Sequence, residues 1–231
     1  MERGSIRDVA WQAGQVAIVD IDGTLVDSNY HHVIAWGRAF ARSRIFVPSS
    51  TLHRHVGMGG DQFVPAVAGD ERETAHGDEI RSAHDRLYLD TLDEIRAFPD
   101  AKPFLRGLTS LGLRVVLATS AKEAELERYL ELLDADNLTD GWTSAADVDR
   151  TKPHPDLLHA AIERAGGAGP AFLVGDSTWD AVAAGNAGIP MLGVLTGGFC
   201  ASELADAGAA AVFSSVGDLG SELAASVQLT G

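Results

Sequence analysis

Two aspartates, Asp20 and Asp22, follow an apolar run and stand just ahead of a glycine, Gly23. The run, residues 16–19, has the composition of a buried strand. Because residues two apart on an extended backbone point to the same side, both carboxylates can face one site at the end of that strand. Two like charges so close together are costly unless a cation, a proton or a phosphate-binding group balances them. The pair therefore predicts metal chemistry at the carboxyl end of the first strand.

Three further polar motifs follow strand-like runs or the loops that connect them. In chain order they are Thr119-Ser120, Thr151-Lys152-Pro153-His154-Pro155 and Gly175-Asp176-Ser177-Thr178-Trp179-Asp180. In an open parallel sheet, ligands bind outside the carboxyl ends of the strands. We therefore expect all four motifs to converge on one crevice.

The residue types in these motifs suit phosphoryl transfer. The carboxylate of Asp20 can attack phosphorus and form an aspartyl-phosphate, which divides hydrolysis into two easier steps. The carboxylate of Asp22 can protonate the leaving oxygen and then deprotonate the attacking water. Mg²⁺ prefers oxygen ligands, which Asp20, Asp176 and Asp180 could supply, and it screens the phosphate from an anionic nucleophile. The threonine hydroxyl of the Thr119-Ser120 motif and the ammonium group of Lys152 can hold the other phosphoryl oxygens.

The elements that must position these motifs form an alternating pattern. Four apolar runs of β character occur at residues 16–19, 113–118, 171–174 and 191–195. Helical segments occur at residues 101–111, 121–133 and 155–164, and a weaker strand and helix follow at 209–214 and 216–226. Strands that alternate with helices predict an α/β fold with a Rossmann-like parallel sheet covered by helices.

Residues 28–95 differ from the rest of the chain. They show helical periodicity interrupted by glycines and a proline, but no convincing strand. An all-helical block between the first and second strands is best explained as an inserted cap domain. The predicted core domain is then residues 1–27 and 96–231, with substrate bound between core and cap.

With these four motifs in this order, nearly the whole chain resembles the haloacid dehalogenase superfamily, in its helical-cap branch of phosphoglycolate phosphatases and β-phosphoglucomutases. The resemblance implies a Rossmann-like core, an Mg²⁺ cofactor and a covalent phospho-aspartate intermediate. It implies that Asp20 is the nucleophile and Asp22 the acid/base, whose backbone carbonyl also ligates the metal. The other implied roles are phosphate binding by Thr119 with Ser120 beside it, charge balance by Lys152, metal binding by Asp176 and metal support by Asp180.

Departures from the pattern of individual relatives narrow the reaction. Dehalogenases proper carry an aromatic residue at the position of Asp22, and phosphonoacetaldehyde hydrolases a small one, so Asp22 favours phosphatases and phosphomutases. The cap loop of β-phosphoglucomutases follows glycine with a Ser-Arg pair that holds a second phosphate, and residues 57–61 here have neither. Hydrolysis of a small phosphomonoester is therefore the main prediction. The alternatives are a β-phosphoglucomutase-like mutase and a non-catalytic module that binds a phosphorylated metabolite.

Three cap residues are candidate substrate contacts. His32 matches a histidine in the cap hinge region of β-phosphoglucomutases. Arg54 has the charge to reach a substrate, although an exposed arginine is an equal alternative, and Gly57 begins a glycine-rich loop that suits a lid. Asp180 could equally cap the helix that begins near Thr178. Packing or solvent exposure, and not a zinc site, is expected for the other nearby histidines, His31, His53 and His55.

The net charge, the apolar runs and the cysteine count limit the binding partners and the cellular location that the sequence predicts. The 231 residues carry a formal charge of −15, which disfavours nucleic acid because phosphate backbones bind clustered lysine and arginine. No apolar run is long enough for a membrane span, and residues 1–15 lack the apolar stretch of a signal peptide. Cys200, the only cysteine, fits a reducing compartment and is expected to be a buried, inert thiol. The sequence thus predicts a cytoplasmic enzyme, a monomer or homodimer, whose partner is a small phosphorylated metabolite.

Overall fold

The fold, in a computed structural model that describes residues 14–167 and 169–228, is built on one parallel sheet. The strands in this part of the chain are β1 (Val16–Asp20), β2 (Arg114–Ala118), β3 (Gly141–Thr143), β4 (Ala171–Gly175), β5 (Met191–Val194) and β6 (Ala211–Phe213). They lie in the order β3-β2-β1-β4-β5-β6, and every neighbouring pair is parallel. The chain order reverses between β1 and β4, which is where such sheets bind ligands. The predicted Rossmann-like α/β fold is confirmed.

Four of the α-helices of the described residues lie within residues 28–95, after β1. These are α1 (Asn29–Arg42), α2 (Ser49–His53), α3 (Gly60–Ala68) and α4 (Asp70–Leu89). The others are α5 (Ala101–Ser110), α6 (Glu123–Leu133), α7 (Ala135–Leu138), α8 (Asp156–Arg164), α9 (Thr178–Ala187), α10 (Ala201–Ala207) and α11 (Val216–Gln228). The helices predicted from periodicity at 101–111, 121–133 and 155–164 are present, with their ends shifted by up to two residues.

Strand β1 positions the site because it lies at the centre of the sheet. All five of its residues are buried, and its side chains alternate between two hydrophobic clusters, Ala17 and Val19 in one and Val16 and Ile18 in the other. Helices that cover both faces of a parallel sheet require such an unbroken apolar strand. In register, Asp20 lies opposite Ala118 of β2, so the residues that follow both strands begin at one level of the sheet edge.

Helices α1–α4 enclose a hydrophobic cluster of their own. Helix α1 packs against α2 and α4, and α3 packs against α4. The largest buried side chains between them are Trp36, Phe40, Leu52, Phe63 and Ile80. A separate apolar centre is what an inserted helical domain needs. The predicted domain limits at residues 27/28 and 95/96 stay a prediction.

Three expectations from the sequence concern membrane-spanning segments, Cys200 and a signal peptide. Among the residues that the structure describes, no helix combines the length and the apolar character that a membrane span needs. Cys200 is exposed, so the prediction of a buried thiol is wrong. It precedes the first turn of α10, and its sulfur lies 3.1 Å from Oγ of Ser202. The signal-peptide argument concerns residues 1–15, most of which lie outside the described residues.

Candidate active site

A buried ion-pair cluster centred on Lys152 lies at the carboxyl end of β1. The Nζ atom of Lys152 lies 2.5 Å from Oδ1 of Asp20 and 2.8 Å from Oδ1 of Asp180. No side chain of the three is more than 3% exposed. Burial by itself lowers the pKa of Lys152, but the two carboxylates outweigh burial and raise that pKa above its ordinary value. Lys152 is therefore a charged group held against Asp20.

Asp176 faces the same centre from the loop after β4. Its Oδ1 accepts a 3.0 Å hydrogen bond from the Thr24 hydroxyl, and its Oδ2 accepts a 2.9 Å bond from Nδ2 of Asn29. The Thr24 hydroxyl also lies 3.4 Å from Oδ2 of Asp20. Burial and the nearby charge of Asp180 raise the pKa of Asp176 to about 7. The strand ends of β1 and β4 thus bring two carboxylates together.

The cluster of Asp20, Asp176 and Asp180 fits a hard divalent cation. Each residue has a carboxylate oxygen within 4.8 Å of the others. Lys152 is the only cation that contacts them among the described residues, so negative charge is in excess. Burial raises the pKa of Asp20 well above its ordinary value although Lys152 lowers it. Beside the cluster, the buried Oδ1 of Asn29 has no hydrogen-bond partner among the described residues. Buried oxygen ligands with incomplete charge balance are suited to Mg²⁺.

Asp180 takes the capping role that the sequence indicated as an alternative to metal support. Its Oδ2 accepts hydrogen bonds from Oγ of Ser177 at 2.6 Å and from the Ser177 backbone nitrogen at 3.1 Å. These bonds form a capping box at the start of α9. Its other oxygen faces Lys152. Asp180 therefore fixes the start of α9 and also holds Lys152 in the cluster.

Asp22 accepts hydrogen bonds from four side chains. Its Oδ1 lies 2.6 Å from the Ser28 hydroxyl, 2.7 Å from the Tyr129 hydroxyl and 3.2 Å from Nε2 of His32. Its Oδ2 lies 3.2 Å from the Thr119 hydroxyl. Burial raises the pKa of Asp22, but hydrogen bonds from His32, Ser28 and Tyr129 outweigh it and lower the pKa to about 2. In this arrangement Asp22 is a carboxylate.

His32 links Asp22 to the helices of the 28–95 block. Its Nε2 lies 3.2 Å from Asp22 and 3.3 Å from Glu125, and its Nδ1 lies 3.2 Å from Nε2 of His84. Burial lowers the pKa of His32, but the two carboxylates raise it to about 9, whereas burial lowers the pKa of His84 to about 4. A protonated His32 thus donates from both ring nitrogens, and a neutral His84 accepts. Asp22, His32 and Glu125 are close enough to share an ion, but the proton on His32 opposes it.

Sequence reasoning missed the residues that surround Asp22 and His32. Glu125 and Tyr129 lie one turn apart on α6, and the Tyr129 hydroxyl, which donates to Asp22, also lies 3.1 Å from Oε1 of Glu125. The hydroxyls of Tyr129 and Tyr88 are hydrogen-bonded, and the ring of Tyr88 stacks on His32 with 3.8 Å between centroids. The one signal in the sequence is that a predicted helix begins within a few residues of Thr119, as α6 does at Glu123. It does not say which face of α6 meets Asp22.

A cavity of about 270 Å³ opens over this site between the sheet edge and helices α1–α4. Of the predicted site residues, those that line it are Asp20, Asp22, His32, Gly57, Ser120 and Lys152. Thr119, Asp176 and Asp180 are buried beneath the lining. The Thr119 hydroxyl also accepts a 3.0 Å bond from the backbone nitrogen of Ala121. The four sequence motifs therefore converge at one place.

Arg54 does not lie with the other predicted residues. Its guanidinium pairs with Glu203 at 2.8 Å and stacks over Phe199, 5.6 Å from the ring centroid. It is absent from the cavity lining, so its position supports the surface alternative over substrate contact. His53 and His55 take structural roles. His53 bonds the carbonyl of Gly197 at 2.9 Å, and His55 bonds the carbonyl of Thr51 at 2.8 Å.

The parallel sheet and the buried carboxylates at its edge define a Rossmann-like protein with a candidate metal site. The family model described as haloacid dehalogenase-like hydrolase matches residues 15–188, and the chain belongs to this family. The predicted resemblance is thereby confirmed.

Individual relatives agree with the family match. The chain is 29% identical over 217 residues to a phosphoglycolate phosphatase of Rhodospirillum rubrum, covering 89% of each protein. It is 31% identical over 194 residues to a phosphoglycolate phosphatase of Neisseria gonorrhoeae, covering 79% of this chain and 80% of the relative. A solved hydrolase from Pseudomonas syringae superposes with a TM-score of 0.83 at 31% identity, covering 91% and 98% of the two chains. The family and these relatives support a phosphatase enzyme and disfavour a non-catalytic module.

Proposed function

We propose that the protein is an Mg²⁺-dependent phosphatase that hydrolyses a small phosphomonoester through a phospho-aspartate intermediate. The convergence of Asp20, Lys152 and Asp176 in one buried cluster below the cavity carries this proposal. The named phosphatases among the relatives support it.

In the proposed first step an oxygen of Asp20 attacks phosphorus and the bond to the leaving oxygen breaks. Asp22 would receive a proton from the imidazolium of His32, whose Nε2 lies 3.2 Å away, and transfer it to the leaving oxygen. In the second step Asp22 accepts a proton from water, the water oxygen attacks phosphorus, and Asp20 is released as a carboxylate. The proton that Asp22 takes from water would then return to His32.

Other residues hold the phosphoryl group and balance its charge. Lys152, already 2.5 Å from Asp20, offsets negative charge next to the nucleophile. Thr119 lies behind Asp22 and would offer a hydroxyl to a phosphoryl oxygen. A bound Mg²⁺, held by Asp20, Asp176 and the backbone carbonyl of Asp22, would screen the phosphate from the anionic nucleophile.

We also propose that residues 28–95 act as a cap over a core of residues 1–27 and 96–231. The separate cluster within α1–α4 supports this division. The cap would exclude bulk water from the cavity, because His32 and Gly57 line it from this side. Asp61 of the cap accepts hydrogen bonds from the hydroxyl and backbone nitrogen of Thr151, the residue before Lys152.

Substitution of the nucleophile tests the proposal. We expect Asp20→Asn to lower the turnover of p-nitrophenyl phosphate by at least about a thousandfold, because an amide cannot form the intermediate. Asp140→Asn is the matched control. Asp140 forms an ion pair with Arg114, with 2.8 Å between Oδ1 and Nε, and neither residue lines the cavity. EDTA should abolish wild-type activity and Mg²⁺ should restore it. Full activity of a folded Asp20→Asn protein, checked by circular dichroism, would refute the mechanism.

Two further readouts separate the remaining alternatives. A phospho-aspartate is an acyl phosphate, so labelled phosphate trapped on the wild-type protein should be released by hydroxylamine and should not form on Asp20→Asn. A mutase would isomerise a hexose 1-phosphate, whereas the proposed phosphatase would release inorganic phosphate from it.

A further inference from the structure

We propose that the leaving group of the substrate carries no negative charge and binds through hydrogen-bond donors, and that Asp85 is a residue that enforces this preference. The inference rests on the proposed phosphatase function, because the part of the cavity away from the nucleophile would hold the leaving group. It distinguishes among phosphomonoesters by the charge of that group.

Acidic side chains line the cavity beyond the nucleophile and Asp22. They are Asp61 and Asp85 from the 28–95 block, and Glu125 and Asp149 from the other side. Burial raises the pKa of Asp85, but hydrogen bonds with His84 and Lys122 lower it below its ordinary value. Asp85 therefore remains a carboxylate in the cavity wall.

Each cation among the described lining residues already has a carboxylate partner. Nζ of Lys122 lies 2.5 Å from Oδ2 of Asp85. Arg81 pairs with Glu73 and with Asp78, both at 2.8 Å, and donates to the carbonyl of Gly60. Two cationic groups remain. Lys152 pairs with Asp20 and Asp180. His32 pairs with Asp22 and Glu125.

These pairings decide which leaving groups fit. A carboxylate or second phosphate would approach Asp85 and Glu125 without an unpaired cation among the described lining residues to receive it, which is unfavourable. A hydroxyl or an ammonium group would instead find carboxylate acceptors. The wall thus selects against an anion by repulsion as well as by the lack of a partner.

Three phosphomonoesters of equal length test the inference. 2-Phosphoglycolate, 2-hydroxyethyl phosphate and O-phosphoethanolamine share a two-carbon leaving group that ends in a carboxylate, a hydroxyl and an ammonium. We expect kcat/KM for the last two to exceed that for phosphoglycolate by about tenfold or more. A wild-type preference for phosphoglycolate would overturn the inference and leave the phosphatase proposal intact. No Mg²⁺-dependent release of phosphate from any of the three or from p-nitrophenyl phosphate would refute the proposed function instead.

The substrates also differ in their intrinsic reactivity. Comparing one ratio of kcat/KM between an Asp85 variant and the wild type cancels that difference. Asp85→Asn should free Lys122 and raise the ratio of kcat/KM for phosphoglycolate to that for hydroxyethyl phosphate by about three- to tenfold. Asp140→Asn, which changes an ion pair of similar exposure outside the cavity, should leave this ratio unchanged. Lys122→Met, an independent variant, should lower the ratio because Asp85 loses its partner. A ratio that is the same in both cavity variants and in the wild type would overturn the role of Asp85.

Discussion

Removal of Lys152 isolates the stabilising role of the ammonium group that contacts the buried acidic cluster. Lys152→Met keeps much of the side-chain volume but leaves Asp20 and Asp180 without the ammonium that lies 2.5 and 2.8 Å from them. Their side chains are 3% and 0% exposed, so water cannot replace the lost partner. We expect a large loss of stability from a single substitution.

Burial sets the size of the effect. Breaking a buried ion pair by removing one partner costs about 3–5 kcal/mol, because the other charge stays desolvated. For a chain of this size that corresponds to a fall in Tm of roughly 6–20 °C. Lys122→Met is the matched control, since Lys122 lies at the same 2.5 Å from Asp85, with the two side chains 61% and 32% exposed. An exposed pair contributes about 1 kcal/mol or less.

Urea unfolding and thermal melts measure the loss of stability in the two variants. Both measurements are done in EDTA so that no metal binds the freed carboxylates. The double variant Lys152→Met with Asp180→Asn should recover part of the lost stability, because it removes one unpaired charge. Equal stability losses in the Lys152 and Lys122 variants would show that burial of the cluster does not govern its energetics, and would refute the reasoning.

Two further predictions use matched controls within the chain. Gly23→Ala should destabilise the protein by about 1–2 kcal/mol more than Gly188→Ala in urea unfolding. Both glycines have φ near +70°, but a Cβ at Gly23 would meet Asp176 whereas one at Gly188 meets nothing within 4 Å; equal losses would contradict this. Thr151→Val should raise KM for p-nitrophenyl phosphate several-fold by removing the hydroxyl bond to the cap, and an unchanged KM would count against a closing role. Thr139→Val, whose hydroxyl bonds a helix carbonyl at 2.9 Å, should leave KM unaltered.

Much of the fold could be predicted from the sequence because its signals are local. The central strands are buried on both faces, and their apolar runs at residues 16–19, 113–118 and 171–174 are readable without any tertiary information. Strand β3 was not predicted, since three residues at the sheet edge, Gly141–Thr143, carry too short a pattern. Gly112 follows α5 with φ of +76°, the conformation in which glycine commonly ends a helix.

The candidate site divides in the same way. Asp20, Asp22, Thr119, Lys152 and Asp176 could be selected because each belongs to a short motif at a strand end or in a connecting loop. The side chains that set the state of Asp22 could not, since Tyr129 reaches it from 107 positions away along the chain. No local pattern records which face of a distant helix packs onto a loop.

The alternation of strands and helices, the acidic motifs at the strand ends and the family resemblance follow from the sequence alone, because backbone periodicity and short motifs act over neighbouring residues. Only the tertiary structure decided which charges neutralise one another. Lys122 meets Asp85, and Arg54 meets Glu203, through packing of separate elements. Whether a cationic side chain of the cavity is free to bind substrate depends on that packing, because the two partners of such an ion pair are far apart in the sequence.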